Sequence, residues 1–158
     1  MMLENQLVSM TSFKAIKGVV SGIELHDLQC IDVMKMLYSK RAIVSYATGL
    51  GKTVLAAAVM NLLWNEDPSR KFIFIGMSNQ RLQTPAKLEA MCKKSVISVS
   101  KAKDSLDALF ARDYTQFSVL FLTHEALQSD RLLNDLFKHR NEFCGIFIDE
   151  AHELSNVH

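Results

Sequence analysis

The sequence is short of everything that would staple or anchor a chain from outside its own core. It has three cysteines, Cys30, Cys92 and Cys144, and no C-x-x-C pair. Neither a disulfide framework nor a zinc site is therefore indicated. Two of the three sit in apolar surroundings, as reduced core thiols do, and a reducing, intracellular setting fits. It has only two prolines and six glycines, so there is no proline- or glycine-rich linker. Charge of either sign is also lacking in excess: 18 Lys and Arg against 17 Asp and Glu leave +1. There is thus no global basic signal for nucleic acid and no acidic tail, although a local basic face remains open. No apolar run approaches a membrane span, and the N-terminus lacks the charged-then-apolar order of a signal peptide. The expected location is intracellular, cytoplasmic or nucleoid-associated.

What is present suits one folded domain. A chain of 158 residues hides about 70% of its unfolded surface on folding. The stretch that organises it is RAIVSYATGLGKT, Arg41 to Thr53. An apolar run, Ala42 to Val44, leads into a short loop with Gly49 and Gly51. Lys52, Thr53 and a helical pattern from Val54 to Leu63 follow. Strand, glycine loop, Lys-Thr and helix are the parts of a phosphate cradle. The glycines let backbone N–H groups face an anion, and the helix directs its positive end to the same place. Lys52 would reach the β- and γ-phosphates and the Thr53 hydroxyl would ligate Mg²⁺. The full pattern G-x-x-x-x-G-K-[ST] asks for glycine at position 46, where this chain has Tyr46.

Elsewhere apolar strands alternate with amphipathic helices. Leu3, Leu7, Met10, Phe13 and Ile16 have helical spacing, with a turn at Gly18 to Gly22. A second helix opens at Leu25 to Gln29, with Asp27 as its expected N-cap, and ends at Ser39 to Arg41. Strands are expected at Lys71 to Met77, Val96 to Val99, Phe117 to Leu122 and Phe143 to Ile148. Helices are expected from Ser78 or Asn79 to about Lys93, from Asp104 to Ala111 and from Glu125 to Phe137. Pro85 should kink or split the first of these. Strands apolar on both faces, alternating with helices, mean a mostly parallel sheet between two helical layers, a three-layer α/β/α domain.

The last strand runs into Asp149 and Glu150. In doubly wound sheets the ligand sits at the carboxyl ends of the strands. An acid there can hold the Mg²⁺ of a nucleotide, and its neighbour can orient or deprotonate an attacking water. Capping of a following helix is the alternative for the same two residues. Both motifs at strand ends, in this order, make a joint signal for a nucleoside triphosphatase core.

Ala47-Thr48-Gly49-Leu50-Gly51-Lys52-Thr53 and Asp149-Glu150-Ala151-His152 resemble motifs I and II of superfamily 2 helicases and translocases, the DEAH-type box included. The wording is closest to the Snf2-like and type III restriction helicase branches, which act mainly on duplex DNA and do not require glycine at position 46. The likeness spans Leu25 to Asn156. It implies a RecA-like P-loop lobe over residues 25–158, preceded by a helical extension over 1–24. It implies ATP and Mg²⁺ as cofactors, with Thr48, Gly49, Leu50, Gly51 and Lys52 at the phosphates, Thr53 and Asp149 on Mg²⁺, and Lys52, Asp149 and Glu150 catalytic. Gln29 would read the adenine edge, as in the family's upstream recognition element. His152 would couple the nucleotide and nucleic-acid sites, though by its residue type alone it could equally be a helix-start histidine. Thr123 in Thr123-His124-Glu125-Ala126-Leu127 matches a threonine that touches the nucleic-acid backbone. Ser78 and Arg81 fall near motif Ia, where Gly76-Met77 replaces the usual Ala-Pro.

The resemblance further implies partners: nucleic acid, duplex DNA foremost, and a second RecA-like lobe from a longer chain or another subunit. No membrane partner is expected. The second lobe supplies arginines to the γ-phosphate, and their loss costs about 10³ to 10⁵ in turnover by analogy with arginine fingers. The sequence ends at His158 before any such motif, so weak hydrolysis and one exposed sheet position are expected of it alone. Two other readings fit the same residues: a non-catalytic nucleotide-binding interaction module, and a P-loop ATPase that does not act on nucleic acid.

Overall fold

A computed structural model describes residues 10–43, 49–99, 106 and 117–150. The chain divides into two compact units, Met1–Pro68 with Ala90–Lys93, and Ser69–Glu89 with Lys94–His158.

The first unit is helical. Helix α1, Met10–Lys17, holds the Met10, Phe13 and Ile16 part of the expected helix, whose Leu3 and Leu7 lie outside the described residues, and it turns at Gly18 to Gly22 into a small antiparallel bridge, Val20 with Ile23. Gly22 has φ +75°, a conformation that needs glycine. Helix α2, Asp27–Ser39, is capped by His26 rather than Asp27; the His26 N–H donates to Gln29 Oε1 at 2.9 Å. A residue with extended backbone must precede the first helical one. Here His26 has ψ 159°, which leaves Asp27 as the first residue of the helix. Asp27 pairs instead with Lys17 at 2.7 Å. Lys40 ends α2 in the left-handed conformation, φ +57°. Helix α3 runs Gly49–Glu66. Residues Leu55 to Met60 and Trp64 are buried with Ile16, Val20, Leu25, Cys30 and Val33. Asn61 joins the loop after α1 to residue Met91 by donating to the Val19 carbonyl at 2.9 Å and the Met91 carbonyl at 3.3 Å.

Two expectations change in this unit. Ala42 and Ile43 lie in no strand and are exposed, Ile43 fully; among the described residues no neighbouring strand pairs with them. A strand needs a ladder partner, which its own sequence does not provide. Helix α3 starts at Gly49, five residues before the expected Val54. Its burial is also wider than one face, because six consecutive residues are covered. Val44 to Thr48 lie outside the described residues.

The second unit holds the sheet. Strands β1 (Phe72–Gly76), β2 (Val96–Val99), β3 (Val119–Thr123) and β4 (Gly145–Ile148) form one parallel sheet in the order β2-β3-β1-β4. The central pair, β1 and β3, is buried at every position, as continuous apolar runs require. The flanking β2 and β4 are partly covered, with Ile146 60% and Ile148 44% exposed. Among the described residues β4 is paired on one side only. Parallel strands in this order, with helices between them, make a three-layer α/β/α fold. Ile73, Ile75, Leu120, Leu122, Val99 and Leu132 are part of the core on one face, and Phe74 stacks on Phe121 at 6.0 Å.

The helices depart from expectation at their starts. Ser78–Gln80 is a 3₁₀ turn, and helix α4 begins only at Gln83 and runs to Cys92. Pro85 therefore sits in its first turn, where a missing N–H costs no bond. The stretch expected as one helix from Glu125 to Phe137 is a 3₁₀ turn, Ala126–Gln128, followed by helix α5, Asp130–Lys138. Ser129 separates them: its backbone is extended and its hydroxyl accepts the Leu132 N–H at 3.4 Å. The helix expected at Asp104 to Ala111 lies outside the described residues, apart from buried, helical Leu106.

Candidate nucleotide site

Each unit carries one part of the expected site. In the first unit, α3 opens with Gly49-Leu50-Gly51-Lys52-Thr53 as its first turn. The N–H groups of Gly49, Leu50 and Gly51 have no carbonyl four residues back within the helix. They form a cluster of donors at the positive end of an 18-residue dipole. Lys52 is half-buried and Thr53 is buried. Gln29 lies in the first turn of α2, half-buried, its Oε1 taken by the His26 N–H. Thr48 lies outside the described residues.

In the second unit, the site residues gather at the carboxyl ends of β1, β3 and β4. Asp149 follows β4 directly and is 6% exposed. Its N–H donates to the Ile75 carbonyl at 2.9 Å, extending the ladder one residue past the strand. Its Oδ1 accepts the Glu150 N–H at 3.1 Å. Glu150 is half-buried with φ +53°, a left-handed conformation uncommon for residues with a side chain. His152 lies outside the described residues.

Thr123 closes β3 opposite Gly76 of β1. It is buried, and its hydroxyl accepts the Ala126 N–H at 3.2 Å, capping the 3₁₀ turn that follows. Ser78 is half-buried and donates its hydroxyl proton to the Glu125 carboxylate. That bond, ahead of a backbone N–H bond, holds the Glu125 carboxyl below the usual glutamate range. Arg81 is exposed just past the same turn, its N–H on the Ser78 carbonyl at 3.3 Å. The fold therefore brings Ser78, Thr123, Asp149 and Glu150 to one edge of the sheet. Two residues there escaped the sequence reading: Glu125, which holds Ser78, and His124, whose Nε2 lies 2.9 Å from the Asp149 carbonyl. Both belong to the Thr123-His124-Glu125-Ala126-Leu127 stretch, where the resemblance gave a role to Thr123 alone.

Residues 11–157 match the model of a protein family described as type III restriction enzyme, res subunit. The chain belongs to that family. It is a first RecA-like lobe of the superfamily 2 helicase type, in keeping with its four-stranded parallel sheet. The family is helicase-like and generally ATP-dependent with Mg²⁺, and generally engages nucleic acid and a second lobe. Comparison with curated proteins gives no match. No described helix is long and apolar enough to cross a membrane.

By donor chemistry, each unit taken by itself offers a group that suits Mg²⁺. Thr53 offers a hydroxyl and Asp149 a carboxylate, both hard oxygen donors of the kind Mg²⁺ selects. The Asp149 backbone N–H and Oδ1 are both engaged in hydrogen bonds.

Proposed function

We propose that this lobe binds Mg-ATP and, with a second RecA-like lobe, uses it to drive movement on nucleic acid, duplex DNA foremost. The observation that supports the reading is the start of α3 at Gly49, which leaves the N–H groups of Gly49, Leu50 and Gly51 at the helix N-terminus immediately before Lys52 and Thr53.

In this reading Lys52 neutralises charge on the β- and γ-phosphates, and the N–H groups of Gly49, Leu50 and Gly51 bind the same anion through the helix end. Thr48 adds to the same loop. Thr53 and Asp149 would ligate Mg²⁺, which when bound would neutralise developing phosphate charge. Glu150 accepts the proton of the attacking water. Gln29, its Oε1 taken by the His26 N–H, would offer its amide N–H groups to the adenine edge, and His152 would couple the nucleotide to the nucleic-acid site. Ser78, Arg81 and Thr123 supply hydroxyl and guanidinium groups to backbone phosphates.

The test is titration of a fluorescent ATP analogue with Mg²⁺ into the chain and into Lys52→Ala. Binding lost in the variant, and competed by ATP better than by GTP, is the expected result. A duplex oligonucleotide that shifts the affinity favours the translocase reading over a P-loop ATPase unrelated to nucleic acid. Equal binding by both proteins, or none by either, overturns the assignment.

A further inference from the structure

Strands β3, β1 and β4 lie side by side in that order. His124 follows β3 and ties the ends of all three together. Its N–H donates to the Gly76 carbonyl of β1 at 3.1 Å. Its side chain reaches past β1 to the carbonyl of Asp149, with Nε2 at 2.9 Å. A carbonyl oxygen only accepts, so Nε2 carries the proton. The ring is buried, and Nδ1 has no hydrogen-bond partner among the described residues. An unpaired buried polar atom is costly, and such an atom calls for a reason.

The reason lies in which carbonyl is held. The Asp149 carbonyl belongs to the peptide joining Asp149 to Glu150. The opposite edge of that planar unit is the Glu150 N–H, which donates to Asp149 Oδ1 at 3.1 Å. One rigid plane therefore connects the His124 ring to the Asp149 carboxylate. The same plane sets the left-handed turn at Glu150, φ +53°, a strained conformation for a residue with a Cβ. Such a turn persists when its surroundings over-determine it. Here the Asp149 N–H bond to Ile75 fixes one side and His124 fixes the other.

We infer that His124 is a positioning residue for the acidic pair: through the Asp149–Glu150 peptide it aims the Asp149 carboxylate at Mg²⁺ and holds Glu150 in its turn. The inference rests on the Mg-ATP reading. Rotation of that peptide would withdraw the Glu150 N–H from Oδ1 and free the carboxylate to swing. Outer-shell hydrogen bonds of this kind are worth about 10- to 100-fold in metal affinity.

The experiment uses the whole chain and two variants. His124→Phe keeps a ring and loses the donor; His124→Gln keeps a donor. The Mg²⁺ concentration that half-saturates binding of a fluorescent ATP analogue should rise about tenfold or more in His124→Phe. Binding of the same analogue in EDTA should not change, and His124→Gln should recover most of the Mg²⁺ affinity. A long-range ¹H–¹⁵N spectrum of the wild type should show His124 protonated at Nε2, a readout that stands even if His124→Phe does not fold. Proton on Nδ1 alone overturns the inference. So does a folded His124→Phe with wild-type Mg²⁺ dependence, which would leave the nucleotide reading intact. A wild-type chain that binds no nucleotide overturns that reading and this role together.

Discussion

The Lys71 ammonium donates to the Phe117 carbonyl and lies 4.3 Å from the centre of the Phe117 ring. The bond ties the entry to β1 to the residues leading into β3, so a cationic side chain does structural duty inside an apolar unit. Replacing it by an apolar side chain of similar length leaves that carbonyl without this donor. Lys71→Met should lose roughly 1–3 kcal/mol by urea denaturation at neutral pH. Burial pushes the Lys71 pKa below the ordinary lysine value, with Glu142 opposing. Between the lowered folded value and the ordinary one, the unfolded chain binds more protons than the folded chain, so stability rises with pH there. The gap between wild type and Lys71→Met should therefore widen as pH climbs through that window. A constant gap would count against a buried, desolvated ammonium.

Gly76 and Gly145 should respond oppositely to alanine. A Cβ at Gly76 would sit 3.0 Å from Phe121 Cε2, and the Phe121 ring is stacked against Phe74. A Cβ at Gly145 meets only Phe72 at 3.4 Å, close to ordinary contact. Gly76→Ala should cost about 1–3 kcal/mol through overpacking. Gly145→Ala should be neutral or stabilise by roughly 0.5–1 kcal/mol through the unfolded chain. Paired thermal or urea melts check both.

Ser78 should control the acidity of Glu125. The serine hydroxyl is the first cause of the lowered Glu125 pKa. A carboxylate lowered on folding contributes stability that is present above the ordinary glutamate range and lost as pH falls through the folded value. Ser78→Ala should move the Glu125 carboxyl titration, followed by carbon NMR, upward toward that range. An unchanged titration midpoint would mean the hydroxyl does not hold the carboxylate in solution.

The three thiols should separate cleanly. Cys30 and Cys92 are buried, and burial pushes the Cys92 thiol up to about 12. Cys144 is exposed. Reactivity follows the accessible thiolate. A disulfide reagent at mildly alkaline pH should label Cys144 in the folded chain, and Cys30 and Cys92 only after urea is added. Mass spectrometry of the labelled peptides checks the order.

Much of this fold was legible before any coordinates. The runs at Phe72 to Gly76 and Val119 to Thr123 are apolar at nearly every position, and both became fully buried central strands. The two motifs at Gly49 to Thr53 and Asp149-Glu150 led to the family that residues 11–157 match. Other features were not legible. Ser129 could have continued a helix; instead its hydroxyl caps the next one, because serine competes equally well for either role. Helix α3 begins at Gly49 despite two glycines in its first turn, and a weak local propensity gives no warning of such an override.

Local chemistry, then, was determined by the sequence alone: which segments are apolar enough to be strands, where glycines precede Lys52 and Thr53, and which strand ends in two acids. These depend on neighbours along the chain. The strand order β2-β3-β1-β4 and the reach of His124 to Asp149, 25 positions away, were decided only by tertiary structure. Both depend on parallel strands meeting across the sheet, and the pairing of segments far apart in sequence is written in no local pattern.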